Sequence, residues 1–175
     1  MKFALVACAV AFVTAPVGNV RQYQSIPVEL PAMTVQELVN PTDLQCLALN
    51  IYFEARNQKT VEAKASVGWA VINRVHHPKY PDTVCEVVEA TRKVNGAIKC
   101  QFSWYCDAIP NEPNTSNVVE ARAWEEAKAL AYGILEYSVP NPIEDAIMYH
   151  TTAIKPYWMA SYDAVSTVGS HIFYR

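Results

Sequence analysis

Apolar residues recur at helical spacing in several stretches of this chain and alternate only in short runs between them. Over residues 42–58, TDLQCLALNIYFEARNQ, one face carries Leu44, Leu47, Ala48, Ile51 and Ala55. Cys46, Leu49, Tyr52 and Phe53 add apolar surface on the other sides, so the pattern predicts a central helix buried almost all round. Thr42 and Gln45 have the spacing of a capping box at its start. A second helix is predicted after Thr60, with Val61, Ala65, Gly68, Ile72 and Val75 on one face and Gly68 marking a close helix contact. A short helix starts at Asp82 and runs through Cys85, Val88 and Ala90, and Asn95-Gly96 between β-compatible runs predicts a hairpin over 92–103. Asn117 and Glu120 repeat the capping-box spacing before a long helix over 118–138, whose stripe is Val119, Ala123, Ala127, Leu130, Ala131 and Ile134. A strand over 146–151 and a last strand or hairpin over 167–174 complete an α+β chain, helical with small β elements.

Length and composition fit one domain with a sizeable core: 175 residues, 51% hydrophobic. Residues 1–18 have one Lys followed by an apolar run, the shape of a secretory signal peptide, cleaved or kept as an anchor. Residues 19–41 carry Pro27, Pro31 and Pro41 with little periodicity and read as a linker or surface strap, which leaves 42–175 as the domain proper. Export makes the even set Cys46, Cys85, Cys100 and Cys106 a pair of disulfides, with the connectivity open. No C-x-x-C or Cys/His spacing points to zinc. The net charge of −3 argues against a nucleic-acid partner. Membrane contact is expected only through the N-terminal segment, and the protein is expected to be a monomer.

Glu54 is the candidate of greatest chemical interest. At about 100° per residue it falls roughly 20° from Leu47, at the edge of the apolar stripe. Burial there raises a carboxyl pKa, and a proton held near neutral pH can be given to a leaving oxygen. The plainer role is an ion pair with Arg56 or with a distant Arg at a helix end. What tips the balance is a set of motifs in order: IYFEAR around Glu54, NRV at 73–75, QFSW at 101–104 followed by Asp107, YH at 149–150, P-x-W ending at Trp158, and G-x-H-x-F-Y at 169–174.

Together these resemble the SleB-like cell wall hydrolase family from Leu44 to Arg175. The resemblance implies a lysozyme-like fold and cleavage of peptidoglycan glycan strands between N-acetylmuramic acid and N-acetylglucosamine, without a cofactor. It implies Glu54 as the single acid/base of a lytic transglycosylase, with Asn73 and Arg74 framing the site and Gln101 and Ser103 in the cleft. Trp104 and Phe102 alternate with polar residues as in a sugar platform, Phe102 being the better core residue. Tyr149, His150 and His171 would orient sugar or stabilise charge, and Trp158 would line a subsite. One departure stands out: Asn57-Gln58 follows Arg56 where the family pattern has Gly-Glu.

Other chemistries use the same residues. A hydrolytic muramidase needs a second carboxylate about 5 to 9.5 Å from Glu54, for which Asp107 is the first candidate and Asp163 the second. His150 and His171 with Glu54 or Asp107 would make a zinc-dependent stem-peptide amidase, although no HExxH supports it. A non-catalytic wall-binding module would use the aromatics alone. The expected setting is the periplasm or cell wall, in a bacterial remodelling or phage lysis role.

Overall fold

The computed structural model describes residues 39–175. The stretch expected to be a signal peptide, and all but the end of the expected linker, lie outside these residues. Helix α1, Pro41–Ala55, starts two residues earlier than the capping-box reading places it. Asn40 is the cap: its Oδ1 accepts from the backbone N–H of Thr42 at 2.9 Å and of Asp43 at 3.4 Å. Pro41 suits the first helical position because its φ is preset and its missing N–H has no partner to lose there. As the apolar pattern requires, α1 is buried on several sides, through Cys46, Leu47, Ala48, Asn50, Ile51, Tyr52 and Ala55.

Among the described residues three further helices pack against it. Helix α2, Val61–Val75, is capped by Thr60 as expected, its Oγ1 accepting from Ala63 N–H at 3.2 Å. Helix α3, Val84–Val88, takes Thr83 as its cap, one residue after the predicted Asp82. Helix α4, Val118–Leu135, is capped by Asn117, but Glu120 does not close a box. Its carboxylate instead accepts from the Tyr52 hydroxyl at 2.6 Å and pairs with Arg56 at 3.3 Å, tying α4 to α1. Val119 is exposed; Ala127, Leu130, Ala131 and Ile134 make the buried stripe.

Gly68 lies where α2 meets α1 and α4. A Cβ there would come within 2.7 Å of Ile134 Cδ1 and 2.9 Å of Ile51 Cδ1. Gly68→Val is therefore expected to destabilise the fold by about 1–3 kcal/mol through overpacking, read as a lowered midpoint in thermal unfolding.

The β elements are small. Strands β1, Thr91–Val94, and β2, Ala97–Cys100, form the predicted hairpin, pairing Thr91 with Cys100 and Arg92 with Lys99. Asn95 and Gly96 turn it with φ of 51° and 81°, the positive values a two-residue turn demands. Beyond Cys100 the extended reading fails. Strand β1 begins opposite Cys100, so later residues lack a partner strand, and Ser103–Cys106 winds into a 3-10 turn. The second sheet orders β3, Met148–Thr151, then β5, His171–Tyr174, then β4, Ala164–Val168, all antiparallel. A 3-10 turn over Tyr157–Ser161 connects β3 to β4. Disulfides join Cys46 to Cys85, fastening α3 on α1, and Cys100 to Cys106, closing the turn after the hairpin.

Candidate active site

Glu54 sits in the last turn of α1, half-buried, and lines a cleft of about 350 Å3. It does not pair with Arg56, which turns to Glu120. Its Oε2 accepts from the Tyr149 hydroxyl at 3.2 Å. Arg74, from the end of α2, lines the same cleft, buried, with Nε donating to the Ile147 carbonyl at 2.8 Å and the guanidinium over the Phe102 ring. Its Nη1 has no partner among the described residues. Gln101, Ser103, Met148 and Trp158 also line the cleft.

Electrostatics follow from this arrangement. Burial raises the Glu54 pKa, while the Tyr149 hydrogen bond and the Arg74 charge pull it part of the way back. Tyr149 is held well above its ordinary value, by burial first and by the Glu54 charge second, so it remains a neutral hydroxyl donor. Tyr149→Phe removes one group that favours the carboxylate. It is expected to raise the Glu54 pKa further, seen as an upward shift of the Glu54 carboxyl titration by 13C NMR.

Of the residues singled out from sequence, the cleft brings together Glu54, Gln101, Ser103, Tyr149 and Trp158. Trp104 goes to the core instead, stacked on Phe53 at 4.7 Å, its Nε1 donating to Asn50 Oδ1 at 3.2 Å. This stack holds the 101–106 turn against α1, next to Glu54. His150 is separated from Tyr149 by strand alternation. Its Nδ1 donates to the Thr151 carbonyl, its Nε2 contacts the Tyr174 hydroxyl at 2.8 Å, and it is buried against Trp158. Both ring nitrogens are thereby occupied. His171 lies behind Tyr149, edge to face at 5.2 Å, with its pKa lowered by burial and by His150. Asp107 is exposed and accepts from Ile109 N–H at 2.9 Å, while Asp163 lines a separate depression with Arg175. Among the described residues no group of three His, Cys, Asp or Glu side chains is placed to hold a metal ion.

Residues 58–174 match the family described as Cell Wall Hydrolase. The chain belongs to that family. As a cell wall hydrolase it is an enzyme of peptidoglycan cleavage, and its two disulfides fit a place outside the reducing cytosol. The hydrolase is similar to the catalytic domain of the germination-specific lytic transglycosylase SleB from Bacillus anthracis, with a TM-score of 0.56 at 21% identity over 78% of this chain and 97% of that one. The catalytic domain of the Bacillus cereus SleB protein gives a TM-score of 0.52 at 19% identity, over 78% and 91%. At these identities the likeness is one of fold, lysozyme-like α+β. A comparison with curated proteins yields no match. Among the described residues no helix of the hydrolase is long and apolar enough to cross a membrane.

Two lining residues of the hydrolase escape motif reading, Arg92 and Met148. Arg92 is placed by the hairpin register, which the Asn95-Gly96 turn sets, so its signal is the turn rather than any catalytic pattern. The departure at Asn57-Gln58 also has a structural use. Gln58 Nε2 donates to Ser170 Oγ at 2.6 Å and its Oε1 accepts from Ser170 N–H at 3.2 Å, clamping the β4–β5 turn to the end of α1.

Proposed function

We propose that the hydrolase cuts the glycan strand between N-acetylmuramic acid and N-acetylglucosamine by lytic transglycosylation, with Glu54 as its one acid/base. The observation that carries this reading is that, among the described residues, Glu54 is the sole carboxylate lining the cleft. Glu54 in its protonated form gives its proton to the glycosidic oxygen as the bond to the muramic C1 breaks, leaving an oxocarbenium-like ring. The resulting carboxylate then takes the proton of the muramic C6 hydroxyl. The C6 oxygen closes on C1, giving a 1,6-anhydro end with no water consumed and Glu54 reprotonated.

The surroundings suit both halves of that cycle. Burial favours the protonated acid before cleavage; Tyr149 and Arg74 favour the carboxylate that follows. Tyr149 occupies Oε2, which leaves the other oxygen for the sugar. Trp158 offers an apolar face to a pyranose, and Gln101 and Ser103 offer hydrogen bonds to its substituents. Hydrolysis with Asp107 as second carboxylate draws less support, because Asp107 is outside this lining. Residues 1–18 would serve as the export leader and the stretch from 19 to the start of α1 as the tether of a catalytic domain acting at the wall.

Mass spectrometry of products released from purified peptidoglycan tests the reading. Anhydro muropeptides, one water lighter than reducing-end forms and absent with Glu54→Gln, are expected. Reducing-end muramic products would establish hydrolysis instead.

A further inference from the structure

A second depression, of about 260 Å3, adjoins the Glu54 cleft and shares Arg92, Cys100, Gln101 and Met148 with it. Lys99, Tyr80 and Tyr162 are added to its lining. Arg92 and Lys99 are directly opposed in the β1–β2 register, which puts both side chains on one face. Like charges so placed repel each other, and an exposed two-stranded hairpin has little packing to offset the cost. Among the described residues neither cation has a salt bridge, and no carboxylate apart from Glu54 lines either depression. A chain with a net charge of −3 thus concentrates unbalanced positive charge beside its cleft.

An anion between the two cations relieves that repulsion, and Arg presents the planar fork that a carboxylate fits. Where each lactyl group is joined to a peptide the glycan is uncharged, and the carboxylates of this polymer are those of its stem peptides. We infer that the Arg92–Lys99 pair is a subsite for a stem-peptide carboxylate, so that the enzyme prefers peptide-bearing strands to bare or neutralised ones. The inference rests on the proposed cleavage of the glycan in the adjoining cleft.

The test compares soluble glycan strands carrying free stem peptides with the same strands after amidation of the peptide carboxyls, and with strands stripped of peptide, which expose a lactyl carboxylate. For the wild-type protein KM is expected to rise about tenfold on the amidated and stripped strands. The Arg92→Gln/Lys99→Gln double variant should treat all three alike, and the charge-keeping swap Arg92→Lys/Lys99→Arg should restore the preference. Equal KM values for the wild type on free and amidated strands would overturn the inference, as would a preference that survives in the double variant. Efficient cleavage of stripped strands would reassign the pair to the lactyl carboxylate. If the wild type cut none of the three, the cleavage reading alone would fail. Fluorescence anisotropy with labelled strands would then decide the subsite: tighter binding of the free-carboxyl form, lost in the double variant, supports it, and equal binding rejects it.

Discussion

Glu54→Gln is expected to lower glycan cleavage by about a thousandfold or more, because one side chain supplies both proton transfers and an amide performs neither. The same substitution is expected to stabilise the folded protein at neutral pH. Burial raises the folded-state pKa of Glu54, so the folded chain binds a proton over a pH range in which the unfolded chain has released it. Stability is therefore lost as pH rises from the ordinary value of 4.5 through the raised one, and the ionised carboxylate costs the fold thereafter. The amide carries no such penalty at any pH. Thermal unfolding should show a higher midpoint for the variant at pH 7 and a difference that shrinks once the pH falls below 4.5. A variant less stable than the wild type at pH 7 would contradict the desolvation argument, whatever its activity. Cleavage by the wild type should fall as pH rises through the raised pKa, since the acid must start protonated.

The second large effect separates the two disulfides. Cys46–Cys85 joins residues 39 apart and Cys100–Cys106 residues only 6 apart. Loop-closure entropy makes the first worth about 4 kcal/mol and the second about 2 kcal/mol. Replacing Cys46 and Cys85 with Ala should thus lower stability by several kcal/mol, because α3 is released from α1 and the unfolded chain regains the freedom of a long loop. Replacing Cys100 and Cys106 should cost less stability and more activity. That bridge encloses Gln101, Phe102 and Ser103, all of which line the Glu54 cleft, and a looser turn carries them away from it. Chemical denaturation read beside kcat/KM on glycan strands distinguishes the pair. A larger activity loss from the Cys46/Cys85 substitutions, at a temperature where both variants are folded, would reverse the assignment.

The helices and the hairpin were legible because each is declared locally. Thr60 and Asn117 cap where sequence places them, and the stripe of α1 is buried on several sides as its composition demands. Gly68 announces the helix contact it makes. Local signals failed where two of them competed. Thr42 yielded its cap to Asn40 because Pro41 starts a helix so well, and Glu120 left its box for Tyr52 and Arg56, residues distant in sequence. The 101–106 segment could not stay extended once its partner strand ended.

The site divides along the same line. Sequence by itself determined the family motifs, the pair of disulfides, the helix that carries Glu54 and the apolar stripe that desolvates its carboxyl. These depend on residue type and on a period of a few residues, which a linear chain displays. Only the tertiary structure decided which motif residues meet. Tyr149 reaches Glu54 across 95 positions while His150, its neighbour, is turned away into the core by the pleat of β3. Trp104 was claimed by Phe53 and Asn50, and Arg74 and Arg92 were brought to the cleft from separate elements. Distance, burial and charge balance at Glu54 come from contacts between segments, and no spacing within a segment encodes them.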